Sequence, residues 1–224
     1  MNKSVIIVAG GTGKRMGSAI PKQFLVLGHK PILMHCIECF YKYSPDIQII
    51  VVLPDNQTIY WKKLCVEFSF SIKHTVVAGG ETRFQSVKNG LTHSDIDGLV
   101  AIHDGVRPFV SKETISKAFN AAEVYGNAIP CILINESIRI IENKSSFPVD
   151  RDKIRIIQTP QVFKSDIVIK AYNEEYRNEF TDDASVLEWS GEKIHLIDGN
   201  KENIKITDVT DFQFAELIFK NNQL

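Results

Sequence analysis

Short, continuous apolar runs alternate with amphipathic stretches of helical length along most of the 224-residue chain. Such runs are typical of strands that are buried on both faces of a sheet. They lie at SVIIV (4–8), IQIIVVL (47–53), HTVVA (74–78), LVAIH (99–103) and AIPCILI (128–134), and the helical spacing lies near 32–43, 57–68, 83–91 and 112–125. This alternation predicts an α/β fold with a mostly parallel sheet flanked by helices. Because no linker interrupts it, we expect one domain, 1–224.

The pattern changes at residues 135–158. Two short segments in this region, 137–142 and 153–158, have strand character and predict a two-stranded arm. An isolated pair of strands is marginally stable in water, so the apolar face of the arm needs a cover. A second subunit is the economical candidate, and we expect a dimerisation arm at about 135–158. The rest of the chain predicts helices at 165–176 and 183–190, a strand at 193–197 and a last helix at about 208–220.

The charge balance and the hydropathy exclude several classes of partner. The chain has 26 Lys and Arg against 27 Asp and Glu, a net charge of -1 that argues against a generally basic nucleic-acid-binding surface. No apolar run approaches the ~20 residues of a membrane-spanning helix, and the N-terminal run is too short for a secretory signal. We therefore expect a cytoplasmic protein with neither a nucleic-acid nor a membrane partner.

Two cysteines, Cys36 and Cys39, form a C-x-x-C next to His35 and raise the question of a zinc site. A structural zinc site needs a second pair of ligands at short spacing, whereas Cys65 and Cys131 stand apart. The stretch PILMHCIECFYKY also has helical apolar spacing, which accounts for small buried cysteines. Packing in the core is therefore the favoured interpretation.

Ligands of open parallel sheets bind beyond the carboxyl ends of the strands, where this chain has the loops AGGTGKRMG, LPDN, AGGETR and HDGVRP. The first is not a P-loop, because Gly13 and Lys14 are followed by Arg15, and it is not a dinucleotide fingerprint, because Met16 replaces the third glycine. Its glycines still let backbone N–H groups approach a phosphate chain, whose charge Arg15 and Lys22 would neutralise. The alternative is a tight turn with solvated cations.

The other loops also leave two interpretations open. AGGETR either contacts a base or ribose through its glycines or is a plain loop with Arg83 in an ion pair. In HDGVRP, Asp104 and Arg107 either handle metal-bound phosphates or sugar hydroxyls, or form an internal pair. Lys205, predicted to lie mid-strand in NIKIT, either protects a sheet edge or points into a pocket.

Six segments follow one another along the chain: AGGTGKRM…PKQF, GGETRFQSV, HDGVRPF, VDR…QTPQVF, TDDAS and NIKIT. In this order and spacing they resemble the 2-C-methyl-D-erythritol 4-phosphate cytidylyltransferase family of the non-mevalonate isoprenoid pathway. The resemblance covers about residues 4–217. It implies a Rossmann-like nucleotidyltransferase fold with a protruding β-arm, a homodimer, and transfer of a cytidylyl group from CTP to a small polyol phosphate with release of pyrophosphate. It also implies Mg²⁺, held mainly by the CTP phosphates, with Asp104 as a candidate ligand.

The resemblance further implies roles for individual residues. Arg15 and Lys22 would stabilise the transition state, while Arg151 and Lys205 would position the acceptor phosphate. The implied CTP ligands are Ala9, Gly10, Gly11, Gly13, Gly80, Glu81, Arg83, Ser86, Asp104 and Gly105. The implied acceptor ligands are Asp104, Arg107, Ser137, Arg151, Thr159, Thr181 and Lys205. Because the family's arm lies over the partner's site, Arg151 and Ser137 would act across a dimer interface.

Three departures from the family pattern are conservative: Ser137 replaces Thr, Gly105 replaces Ala, and TDDAS replaces TDEAS. Other activities stay open at this point. The related ribitol-5-phosphate cytidylyltransferases share most of these motifs, and a catalytically silent nucleotide sensor would keep the loops, although the retained cations argue against it. A glycosyltransferase would need a D-x-D motif, and the sequence DRD at 150–152 lies in the predicted arm instead.

Overall fold

An eight-stranded sheet forms the centre of the protein in a computed structural model that describes residues 1–11, 20–94 and 97–221. The strands are β1 (Lys3–Val8), β2 (Val26–Leu27), β3 (Lys30–Pro31), β4 (Gln48–Leu53), β5 (Thr75–Ala78), β6 (Leu99–Asp104), β7 (Asn127–Leu133), β8 (Ile138–Glu142), β9 (Ser145–Val149), β10 (Arg155–Ile157), β11 (Gln161–Lys164) and β12 (Leu196–Asp198). The helices are α1 (Ile32–Tyr43), α2 (Thr58–Glu67), α3 (Arg83–Leu91), α4 (Lys112–Tyr125), α5 (Ser165–Ala171), α6 (Asp183–Trp189) and α7 (Val209–Asn221).

The strands of the central sheet follow the order β10-β7-β11-β6-β1-β4-β5, and β12 also pairs with β7. β6, β1, β4 and β5 are parallel to one another, whereas β11 lies antiparallel between β6 and β7. The predicted α/β class, a mostly parallel sheet flanked by helices, is confirmed. The carboxyl ends of the four parallel strands meet at one edge of the sheet, the edge where ligands bind in such folds.

Both faces of the sheet are covered by helices. On β1, Val5 and Ile7 belong to a core shared with α1, α2 and α4, while Ile6 belongs to a second core shared with α3, α5 and α6. A strand buried on both faces has no polar side to interrupt its apolar run, which explains why all five predicted runs are strands. The predicted bounds of α1, α3 and α4 also agree with the structure.

The protruding arm exists, but its second strand was predicted wrongly. β8 pairs with β9, not with residues 153–158, and the turn between them consists of Asn143 and Lys144 with φ of 45° and 71°. After β9, Asp150 accepts a hydrogen bond from the Asp152 backbone N–H at 3.1 Å, which helps to turn the chain back toward the sheet. β10 then pairs with β7 in the main sheet.

One face of the arm is apolar. Across the hairpin Ile138 pairs with Val149 and Ile140 pairs with Phe147, and opposed residues of two strands share a face. Ile140 and Phe147 are 50% and 53% exposed in the single chain. We call the side chains of Ile138, Ile140, Phe147 and Val149 the arm face.

Three further elements differ from their predictions. β11 was not predicted, because it has four residues and its first, Gln161, is a buried polar side chain. The helix predicted at 165–176 ends at Ala171, and the strand predicted at 193–197 is β12.

None of the described helices is long and apolar enough to cross a membrane.

The C-x-x-C pair is packed as its helical spacing predicted. Cys36 is fully buried in the core beneath α1, and the Cys39 thiol donates to the Pro108 carbonyl at 3.3 Å. Burial raises the pKa of the Cys39 thiol to about 12. A thiol of that kind behaves as a small apolar side chain rather than as a reactive thiolate.

Candidate functional site

A cleft of about 290 Å³ opens at the carboxyl ends of β1, β5 and β6. It brings together many of the residues singled out in the sequence: Ala9, Gly10, Gly11, Lys22, Gly80, Glu81, Arg83, Ser86, Asp104 and Lys205. Gly13 and Arg15 lie outside the described residues. The cleft therefore joins three of the four loops that follow predicted strands, together with the segment around Lys205.

The side chain of Lys22 lies against the glycine loop. A Cβ added to Gly11 would stand 3.2 Å from Lys22 Cε, so a glycine there leaves room for the lysine. Lys22 begins a short 3₁₀ helix, and the next residue, Gln23, donates from Nε2 to the Ala9 carbonyl at 2.8 Å. Gln23, which sequence reasoning missed, therefore ties Lys22 to the end of β1.

The AGGETR loop is closed by a capping box at the start of α3. The Thr82 hydroxyl accepts from the Gln85 N–H, and Gln85 Oε1 accepts from the Thr82 N–H, both at 3.1 Å. Ser86 Oγ accepts from the Gly80 N–H at 3.1 Å and donates to the Thr82 carbonyl at 2.9 Å. Ser86 thus fixes the backbone around Gly80 at the rim of the cleft.

Three cations surround the Asp104 carboxylate at the end of β6. Arg107 Nε and Lys205 Nζ each lie 3.1 Å from Oδ2, and Arg83 Nε lies 3.7 Å from Oδ1. Although burial alone would raise it, Arg83, Lys205 and Arg107 hold the pKa of Asp104 well below its usual range. The internal Asp–Arg pair considered for HDGVRP exists, and it forms one wall of the cleft.

Arg83 also forms an ion pair with Asp183. Its Nη1 and Nη2 donate to the two Asp183 carboxylate oxygens at 2.8 and 2.7 Å, and the Tyr172 hydroxyl donates to the same carboxylate at 2.6 Å. The ion pair considered for Arg83 is therefore present, with a fully buried partner. Asp183 thus holds two of the guanidinium nitrogens, and the third, Nε, lies near Asp104 in the lining of the cleft.

Lys205 lies in an irregular segment, so the strand predicted for NIKIT was wrong. The segment is bonded to the HDGVRP loop: Arg107 Nη1 donates to the Asn203 carbonyl at 2.8 Å, and the Ile206 N–H donates to the Val106 carbonyl at 3.0 Å. Of the two interpretations of Lys205, the structure supports the pocket, since its side chain lines the cleft and reaches Asp104.

The buried side chain of His103 links the two ends of the HDGVRP loop to Thr159. Thr159 Oγ1 accepts from the Asp104 N–H at 3.1 Å and lies 3.0 Å from His103 Nδ1, while His103 Nε2 lies 3.0 Å from the Arg107 carbonyl. These contacts fit an imidazole that accepts at Nδ1 and donates at Nε2. Burial lowers the pKa of His103 to about 4, so the ring is neutral at physiological pH. Thr159 and Arg107 therefore lie immediately behind the cleft.

Several other predicted residues are not among those that line the cleft. Ser137 and Arg151 are exposed at the base of the arm, where Arg151 Nη1 donates to the Asn135 carbonyl at 2.7 Å. Thr181 is exposed before α6, and Gly105, whose N–H donates to the Val8 carbonyl at 2.9 Å, lies in the turn after β6. A Cβ on Gly105 would stand 2.8 Å from Ala9 Cβ, so this loop is packed around a glycine.

The described residues form no group of three or more side chains suited to holding a metal ion. Asp104, the candidate metal ligand, already forms ion pairs with three cations. The described carboxylates that line the cleft, Asp104 and Glu81, fit a divalent cation with few protein ligands, as is common for Mg²⁺.

The sequence and fold of the whole chain are similar to those of known proteins. The sequence model of the family "IspD: 2-C-methyl-D-erythritol 4-phosphate cytidylyltransferase" matches residues 4–221. The chain belongs to this family.

Two 2-C-methyl-D-erythritol 4-phosphate cytidylyltransferases illustrate how similar the sequences are. The one from Bacteroides thetaiotaomicron is 50% identical and the one from Phocaeicola vulgatus 49% identical, each over 97% of this chain and 100% of the relative.

Among solved structures, the 4-diphosphocytidyl-2C-methyl-D-erythritol synthase of Anaerococcus prevotii superposes with a TM-score of 0.83 at 28% identity, covering 98% of this chain and 96% of that one. The 2-C-methyl-D-erythritol 4-phosphate cytidylyltransferase of Thermus thermophilus gives 0.80 at 27% identity, with 98% and 100% covered. The Rossmann-like fold expected from the motifs is therefore confirmed.

Proposed function

We propose that this chain transfers the cytidylyl group of CTP to 2-C-methyl-D-erythritol 4-phosphate, giving 4-diphosphocytidyl-2-C-methyl-D-erythritol and pyrophosphate. The observation that carries the proposal is the cleft, in which the glycine loop and Lys22 face Asp104 and Lys205. Membership of the cytidylyltransferase family over residues 4–221 supports the same activity.

The proposed reaction is an in-line displacement at the α-phosphorus of CTP. An oxygen of the acceptor phosphate forms the new P–O bond while the bond to pyrophosphate breaks, and negative charge accumulates on the oxygens around that phosphorus. Catalysis of such a step depends mainly on positioning and on fixed positive charge. Lys22 supplies that charge beside the glycine loop, and we assign Arg15 the same role from the family resemblance.

The remaining residues hold the two substrates in this proposal. Gly80, Glu81 and Ser86 contact the cytidine, and Asp104 contacts the ribose and the acceptor. Lys205 receives the acceptor phosphate, and Mg²⁺ enters with CTP, bound mainly by its phosphates. Bound in this way, the metal would offset part of the triphosphate charge.

We also propose a homodimer in which the arm completes the partner's site. Two observations support it: the arm face is exposed in the single chain, and Arg151 and Ser137 lie at the base of the arm outside the cleft lining. In a dimer the apolar arm face would be covered, and Arg151 would reach the acceptor phosphate of the other subunit.

The test is steady-state release of pyrophosphate from CTP, with 2-C-methyl-D-erythritol 4-phosphate and ribitol 5-phosphate as acceptors in parallel reactions. We expect turnover that requires an acceptor and is faster with the methylerythritol phosphate. Faster turnover of ribitol 5-phosphate would contradict the proposed acceptor. Measurable CTP binding without pyrophosphate release would instead indicate a nucleotide sensor.

A further inference from the structure

Asn203 lies two residues before Lys205, and its side chain is fully buried. It joins the irregular segment that carries Lys205 to the residue that supports Asp104. Its Nδ2 donates to the Thr159 carbonyl at 2.8 Å, and the Thr159 hydroxyl accepts from the Asp104 N–H at 3.1 Å. Thr159 is therefore bonded to the end of β6 on one side and to the Lys205 segment on the other.

The backbone of Asn203 makes a second link to the same wall of the cleft. Its carbonyl accepts from Arg107 Nη1 at 2.8 Å and from Gln158 Nε2 at 3.4 Å. Arg107 Nε and Lys205 Nζ each lie 3.1 Å from the same oxygen of Asp104, Oδ2. The position of Asn203 therefore determines where both cations stand relative to that carboxylate.

The amide of Asn203 is only half satisfied. Its Oδ1 is buried and accepts no hydrogen bond from the residues that the structure describes. A buried oxygen without a partner destabilises a fold, so an apolar side chain of similar size would serve packing alone better. What an amide adds at this position is the Nδ2 donor to Thr159, which fixes the Lys205 segment against the end of β6.

We propose that Asn203 is a positioning residue for the acceptor, one that holds Lys205 and Arg107 where the two cations can bind the acceptor phosphate together. Because its side chain is fully buried, Asn203 acts through these neighbours and does not touch the substrate. Cations that are already in place need no reordering when the phosphate arrives, and a misplacement of about 1 Å can cost up to about 10²-fold in rate. This inference rests on the proposed function.

The test is Asn203→Ala, with the KM for each substrate measured at a saturating concentration of the other. We expect the KM for 2-C-methyl-D-erythritol 4-phosphate to rise about tenfold and the KM for CTP to stay at its native value. A purely structural role would lower the folded fraction, which reduces kcat and leaves both KM values unchanged. If Asn203→Ala does not fold, Asn203→Ser is measured against the same criterion. A native KM for the acceptor would overturn the inference.

The matched control is Asn200→Ala in the same segment. Asn200 Nδ2 donates to the Phe109 carbonyl at 3.0 Å and its Oδ1 accepts from the Ser111 N–H at 3.1 Å, so it anchors the segment to the start of α4 instead of to Thr159. This variant should lower Tm and keep both KM values near native. An equal rise of the acceptor KM in both variants would overturn the specific role of Asn203.

Native protein is assayed beside the two variants. Absence of native turnover contradicts the proposed function, whereas native turnover with an unchanged acceptor KM in the Asn203 variant contradicts this inference alone.

Discussion

At the scale of single residues, the cleft is organised by charge. Asp104 neutralises part of the positive charge of Arg83, Arg107 and Lys205, and Lys22 adds a further cation at the glycine loop. A triphosphate with its own counter-ion would meet cations that are already oriented by hydrogen bonds and ion pairs. Preorganised charge of this kind stabilises a transition state without reorganisation during the reaction.

Replacing Lys22 by Ala should therefore lower kcat more than it raises KM for CTP. Loss of one preorganised group that acts on transition-state charge typically costs about 10²–10³ in kcat. Steady-state kinetics of pyrophosphate release measure both constants, and Lys62→Ala on the exposed surface of α2 is the control, with both constants unchanged. A raised KM with native kcat would make Lys22 a ground-state binding residue.

His103 makes the stability of the protein depend on pH. Its folded-state pKa of about 4 is below the ordinary value of 6.5, so the unfolded chain binds more protons between these values. The contribution of neutral His103 to the free energy of unfolding is therefore present above about pH 6.5 and is lost as the pH drops toward 4. From this group alone, the free energy of unfolding falls by about 2 kcal/mol between pH 7 and pH 5. Urea denaturation at the two pH values measures the change. His103→Asn should flatten this dependence, and an equally steep dependence in that variant would exclude His103 as its source.

The sequence identified cleft residues by their position in the loops that follow predicted strands. It did not identify residues whose role depends on a partner that is far away in the chain. The first glycines and Asp104 stand at the ends of buried strands, where the topology of the sheet makes them meet, and Lys22 follows on the segment that leads out of the same loop. Asp183 stands at the start of the helix predicted at 183–190, and the sequence does not indicate its ion pair with Arg83, which is 100 residues away in the chain. The polar pattern alone gave no signal for that pairing.

At the scale of elements, close contact between α3 and the sheet decides where the AGGETR loop lies. Gly90 in α3 faces β1 and β4, where a Cβ would stand 2.6 Å from Ile6 Cγ2 and 3.1 Å from Val52 Cγ2. The glycine thus allows the helix to pack directly on two parallel strands. The N-terminus of α3, with Thr82 and Ser86, is thereby kept at the cleft.

Gly90→Ala should destabilise the protein, although Ala is the better helix former by about 1 kcal/mol. Overpacking in a tight core costs about 1–3 kcal/mol, which exceeds that gain. Thermal or urea unfolding measures the difference, and Asn120→Ala on the exposed side of α4 serves as the control. A Gly90→Ala protein as stable as the native one would mean that α3 can move away from β1 without loss.

Elements with a regular apolar pattern were predicted closely, and elements that depend on pairing were not. The bounds of α1, α3 and α4 follow from helical spacing. The strand character of 153–158 predicts the second arm strand there, but Arg155–Ile157 pair with β7, and the hairpin instead uses the segment that contains Phe147. Which strand pairs with which is a long-range choice that local alternation does not determine.

At the scale of the whole molecule, two observations favour the proposed homodimer with shared sites: the arm face is exposed, and Arg151 is not among the described residues that line the cleft. Symmetric dimers are the commonest oligomers, and each arm would then contribute to the other chain's site. Activity would depend on association as well as on the fold of each chain.

Mixing an Arg151→Ala protein with a Lys22→Ala protein should restore activity that neither has alone. In a mixed dimer one site keeps both Lys22 and the partner's Arg151, so random exchange should give about a quarter of the native activity. Turnover is measured after subunit exchange, with each variant incubated alone as the control. Verified mixed dimers without recovered activity would show that the two residues do not share a site across the interface.

The base of the arm has a consequence for how this molecule can change over evolution or in design. Leu133 and Arg155 are paired neighbours in β7 and β10, so residues 134–154 leave the sheet and return to adjacent positions. A short turn could replace that whole excursion while every strand of the sheet keeps its register. The segment that the proposed dimer uses for association, residues 134–154, is therefore separate from the residues that line the cleft. In the proposed dimer, replacing this segment would remove association and the contribution of Ser137 and Arg151 to the partner's site, while the fold of each chain would be kept.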